Sequence, residues 1–210
     1  ESFGRLYQDL WIGRRATEHY ERAFATYIEL NDKGGEARCL MRLGMLNFDR
    51  GETAQCRKCM EEALALCKQN IIGVGEGDCL MAIGDVLWRL GDYPQTKAHY
   101  SLAAKLCREQ QDRVGEARAI CGLSNVNLAL GECYQSIEQI MEALTIYNEV
   151  SDSAGQASAL RSLAKGYAAQ GKLPTANKVA EQAKAISIEC GDVLAAAQSD
   201  VILSGILLDS

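Results

Sequence analysis

Glycine returns in this chain at a fixed interval. Gly35, Gly75, Gly115 and Gly155 stand 40 residues apart, and Gly51, Gly91, Gly131 and Gly171 follow them in phase, each sixteen residues on. Such a register describes stacked copies of one unit, because a single copy is too small to bury its apolar face and does so only against its neighbours. It divides the 210 residues into a half repeat at 1–33, repeats at about 34–73, 74–113, 114–153 and 154–193, and a final helix at 194–210. No linker interrupts the register, so one continuous array is expected.

The residues between the glycines read as two helices per unit. Tyr20, Ala23, Phe24 and Tyr27 fall at i, i+3, i+4 and i+7, the spacing of an amphipathic helix. Pro94 and Pro174 are the only prolines. Each comes three residues after a periodic glycine, where the first turn of a helix tolerates a missing amide. Leu40, Leu80, Ile120 and Leu160, then Leu43, Ile83, Leu123 and Leu163, give the first helix (helix A) an apolar seam. Gly44, Gly84, Ser124 and Ala164, facing Ala23, Ala63, Ala103, Ala143 and Ala183 of the second helix (helix B), let the two backbones approach closely. Ahead of the first full repeat, residues 1 to 10 read as the end of one helix and 14 to 30 as a second.

A hydrophobic fraction of 48% with 24% charged residues describes a folded chain, and the net charge of -6 argues against a nucleic-acid partner, which needs a basic face. No apolar run is long enough to insert into a membrane. The nine cysteines are odd in number. Cys39 with Cys79, and Cys67 with Cys107, are one period apart, which suits small buried slots better than a disulfide framework. Cys56 and Cys59 form a CxxC with no second pair to complete a closed zinc site, so neither metal nor cofactor is expected. Free thiols point to a reducing compartment, the cytoplasm first. The chain opens at Glu1 without an initiator Met, which allows a truncated chain or a processed organellar one.

At the Leu-Gly of helix A (Leu43-Gly44) and the alanines of helix B, the chain resembles the tetratricopeptide repeat. Its 40-residue unit, with Asp112, Asp152 and Asp192 ahead of the opening, resembles the repeats of the Pins/LGN polarity scaffolds and, more distantly, rapsyn. Asn125 keeps the Asn of that family's Leu-Gly-Asn, after Ser124 in place of Gly. The resemblance implies an all-α, right-handed superhelix of antiparallel helix pairs, a TPR-like α-solenoid whose A helices line a concave groove. It also implies a non-catalytic scaffold or adaptor that binds a protein or peptide there.

Once the seam is assigned, a second stripe remains on helix A: Met41, Met45 and Phe48, then Met81, Asp85 and Trp88, then Cys121, Asn125 and Leu128, then Arg161, Lys165 and Ala168. Core positions repeat their chemistry, whereas these pass from apolar to polar to basic. Arg38, Arg42, Arg89 and Arg118, against Asp49 and Asp78, flank it. Such a face suits an acidic peptide with apolar anchors, since Met adapts to varied side chains and Arg holds carboxylates in bidentate pairs. The alternative is that the Met and aromatic residues pack between adjacent repeats.

The second function considered is a structural subunit docking by its convex face or its ends. Val201, Ile202, Leu203, Ile206, Leu207 and Leu208 make the last helix apolar enough for an end-to-end contact. An enzyme is not expected. His19 and His99 are variants of one position two repeats apart, and the string from Gly73 to Gly77 lacks the Lys-Ser/Thr of a phosphate loop. Glu36, Glu76 and Glu116 in the first turn of helix A favour the positive helix end.

Overall fold

The computed structural model describes the backbone of residues 2–69 and 75–208, and side chains over 14–67 and 75–205. Residues 1 to 10, Gly73 and Ile206, Leu207 and Leu208, named above, lie outside the described side chains. The described residues form helices and turns, without strands. They pack as two compact units. In the unit Glu1–Leu90, α1 (Ser2–Glu29), α2 (Lys33–Asp49), α3 (Thr53–Gln69) and α4 (Glu76–Arg89) pack each on the next. In the unit Gly91–Ser210 the same holds for α5 (Tyr93–Glu109), α6 (Arg113–Ala129), α7 (Cys133–Glu149), α8 (Ser153–Ala169), α9 (Leu173–Glu189) and α10 (Val193–Leu208). Antiparallel pairing follows from the short turns, and the A helices also touch one another, α2 with α4 in the first unit and α6 with α8 with α10 in the second. This is the α-solenoid arrangement of helix pairs.

Both kinds of turn use a residue in the left-handed region, filled differently. Between helices A and B it is always glycine: Gly51, Gly91, Gly131 and Gly171, with φ of 79, 78, 80 and 73°. Between B and the next A it is Asn31, Gln111, Ser151 and Gly191. There an aspartate follows, and Asp32, Asp112, Asp152 and Asp192 each accept the amide of the residue three positions on at 2.9 Å. That bond satisfies one of the orphan donors of the helix start.

The half repeat departs from expectation, because α1 runs without a break from Ser2 to Glu29. The position one period before Gly51 is Trp11, so the residue that lets the chain reverse is missing. Propagating the helix costs less than forcing an aromatic residue into a left-handed turn.

Half of the expected seam is core: Leu40, Leu80, Ile120 and Leu163 are buried, while Leu43, Ile83, Leu123 and Leu160 are half-buried. Helix B supplies the rest, with Met60 and Ala63 buried in the first unit and Ile140 and Ala143 in the second. Ser124 and Ala164 have no exposure, and a Cβ on Gly44 would meet Met60 Cε at 2.9 Å. Gly35 and Gly155 are fixed by another contact. A Cβ at either would stand 2.3 Å from the ring of Tyr27 or Tyr147, which lies across the start of the following A helix.

Candidate functional site

In the first unit, α2 and α4 place the expected residues at three depths. Met41 and Met81 are buried and belong to the core, as the packing alternative has it for these two. Met45, Phe48 and Trp88 are half-buried at its edge, and Arg38, Arg42, Asp85 and Arg89 are exposed. Arg89 is held twice: its guanidinium lies 4.4 Å from the Phe48 ring centre and bonds Asp49 at 2.7 Å. Arg38 lies 3.8 Å from Asp32 and 5.9 Å from the Tyr27 ring centre. Both cations therefore balance acids of their own unit.

In the second unit, α6 carries Arg118, Cys121 and Asn125, and α8 carries Arg161 and Lys165. Arg118 and Lys165 are exposed; Cys121, Asn125 and Arg161 are half-buried. Burial pushes the Cys121 thiol up to about 12, and a hydrogen bond with Tyr147 pulls the other way, so this sulfur is a neutral packing group. Arg161 sits in a harder place. Its Nη1 is buried with no hydrogen-bond partner, and burial works against its charge while Asp192 works for it. Helix α8 contains no acidic residue. Arg161 and Lys165, four residues apart, share one of its faces.

Two constellations were not anticipated from the sequence. Glu116, only 1% exposed, accepts Arg108 Nε and Arg113 Nη1, both at 2.6 Å. Arg108 continues to Glu142 at 3.0 Å and Arg113 to Glu149 at 2.6 Å, so one network ties α5, α6 and α7. The role of Glu116 is thus larger than the helix-end effect assigned to it. The signal was present in Lys33 and Glu36, which make the same i,i+3 pair at 2.7 Å two repeats earlier. The second is a thiol pair, Cys67 and Cys79, with sulfurs 2.7 Å apart between α3 and α4. Six of the nine cysteines are buried, and all nine are free thiols. Among the described residues no group of three or more His, Cys, Asp or Glu is placed to hold a metal ion, and no helix is long and apolar enough to cross a membrane.

Solved structures with this arrangement are numerous. Aspartyl phosphate phosphatase F from Bacillus subtilis superposes with a TM-score of 0.76 at 13% identity, over 96% of this chain and 54% of its own. A Rap protein complexed with Competence and Sporulation Factor gives 0.72 at 17% identity, over 98% and 63%. BtubC from P. vanneervenii gives 0.69 at 16%, over 97% and 91%. At such identities the likeness is one of fold, and the chain spans about half the length of the Bacillus phosphatase. No curated protein matches the sequence. Two family profiles, each described as tetratricopeptide repeat, match residues 37–70 and 115–189. Neither singles out the Pins/LGN scaffolds that the 40-residue unit resembles. With the profiles falling on the helix pairs α2–α3 and α6 to α9, the chain is a tetratricopeptide-repeat protein.

Proposed function

We propose that this protein is a non-catalytic interaction module, and that the A-helix face of the unit Gly91–Ser210 holds an acidic peptide segment with apolar anchors. The observation that carries the reading is Arg161, a half-buried guanidinium with an unmet donor on a helix that has cations and no acid. A buried donor left without a partner costs about 1–3 kcal/mol. An incoming carboxylate or peptide carbonyl recovers that cost, and Lys165 and Arg118 add to the attraction. Val201, one period beyond Arg161 on α10 and 73% exposed, offers the apolar contact. In the first unit, Met45, Phe48 and Trp88 form a second, separate contact set.

The test is selection from a random peptide display library, followed by binding of the enriched peptides to the Arg118→Glu/Lys165→Glu double variant. Enrichment of Asp or Glu beside Leu, Ile or Phe is expected, with affinity that falls as salt rises. Loss of two charge-assisted contacts, at about 1.5–3 kcal/mol each, predicts at least a hundredfold weakening. Arg161→Gln serves as the milder third variant, since a reversal there would bury a carboxylate. Lys178→Glu, exposed on α9, is the control and leaves affinity unchanged. Selected peptides without acidic residues, or equal binding by the double variant, overturn the reading.

A second reading, docking by one end in a larger assembly, is favoured by one observation. Val193, Leu194 and Val201 on α10 are 80, 72 and 73% exposed, and Ile188 on α9 is exposed as well. Apolar exposure gathered on the last two helices suits an interaction surface.

A further inference from the structure

We propose that Cys67 and Cys79 form a covalent cross-link site, closing to a disulfide between α3 and α4 when the protein meets a hydroperoxide. Helix B repeatedly sends one side chain across the start of the next A helix, at positions 27, 67, 107, 147 and 187. Tyr27, Cys107 and Tyr147 meet a glycine there. Cys67 lies by Gly75 in the same way and meets a second thiol besides, its Sγ 2.7 Å from that of Cys79. Cys107, the other cysteine of the series, has Ala119 at the position of Cys79, so among these five sites only this one holds two sulfurs. A disulfide needs sulfurs about 2.05 Å apart, so the bond asks for a small side-chain adjustment. The pair is also polarised. The hydrogen bond from Cys79 holds the Cys67 thiol below its ordinary value, and the same bond, with burial, pushes Cys79 up. Cys67 is thus the nucleophile and Cys79 the resolving thiol.

The chemistry balances. The Cys67 thiolate attacks one peroxide oxygen, the O–O bond breaks, and the departing hydroxide takes a proton to leave as water, giving a sulfenic acid. Cys79 sulfur then attacks the sulfenic sulfur, the S–S bond forms, and the second hydroxide leaves with the Cys79 proton as water. Two thiols lose two electrons to one peroxide. A dithiol such as dithiothreitol returns them by exchange. Both thiols are nearly inaccessible, at 2 and 1% exposure, so the bond forms slowly and persists once made.

The test uses the intact chain, treated with hydrogen peroxide, denatured in acid with an alkylating agent, and cut with trypsin. Cleavage after Lys58, Lys68 and Arg89 puts Cys67 on peptide 59–68 and Cys79 on peptide 69–89. The two peptides are expected as one species, lighter by two hydrogens than their sum and separated by dithiothreitol. Fragmentation should place the link on Cys67. Because peptide 59–68 also carries Cys59, Cys59→Ser must retain the link, and Cys67→Ser must lose it. The oxidised protein should melt roughly 5 °C or more higher, reversibly, as the closed loop restricts the unfolded chain. A Cys79 that is still fully alkylatable after prolonged peroxide treatment overturns the proposal, as does a link to Cys59 or between two chains.

Discussion

A single methyl group is enough to test how the helices meet. Added at Gly155, it would run into the Tyr147 ring, with Asp152 Oδ2 also close at 2.7 Å. Overpacking of this kind costs typically 1–3 kcal/mol, so Gly155→Ala should lower the denaturant midpoint accordingly. Tyr147→Ser should remove most of the clash while losing the ring's own burial, giving a coupling energy of at least about 1 kcal/mol in the double-mutant cycle. The chain already contains the relieved version, since Ser187 stands opposite Ala195 at the equivalent place. Additive effects of the two substitutions would show that the ring and the glycine do not touch. The pairing of Tyr, Cys or Ser with Gly or Ala eight residues on is written in the sequence. Its meaning emerges only when the ring is seen lying across the helix start.

At the level of the element, the two turns of each repeat separate strain from fit. Gly171 occupies the left-handed region without cost, so Gly171→Ala should destabilise by about 1 kcal/mol or more. Gln111 occupies the same region with a side chain, at φ 61°. Gln111→Gly should therefore be neutral to stabilising, by up to about 1 kcal/mol, as read from the melting temperature. The next residue works the other way: Asp112→Ala removes the acceptor for the Gly115 amide and should cost about 1 kcal/mol. If Gln111→Gly destabilised the protein instead, the side chain would be contributing contacts that outweigh its backbone. The unbroken α1 follows from the same rule, since Trp11 stands where the periodic glycine would reverse the chain.

For the molecule as a whole, the exposed apolar end of α10 makes a prediction about association. If Leu194 and Val201 mediate docking, sedimentation of the protein at rising concentration should show self-association or retention of a partner. Leu194→Glu/Val201→Glu should abolish it while helicity stays unchanged, because both side chains lie outside the core. A concentration-independent monomer that binds nothing through this end counts against the docking reading. The repeat, the paired helices, the glycines between them and the buried half of the seam were legible in the amino-acid sequence. Each depends on local dihedral preference or on a neighbour one fixed interval away, and periodicity exposes both. The depth of the outward stripe on helix A was not legible. Met41 and Met81 are buried while Met45 is half-buried; Arg89 is clamped between Phe48 and Asp49, and Arg161 sits half-buried with an unmet donor. Nor did periodicity bring Arg108 and Arg113 onto Glu116, or Cys67 onto Cys79. These meetings depend on where long side chains end after three helices have packed, and packing is decided by the exact volumes of residues that the repeat leaves free to vary.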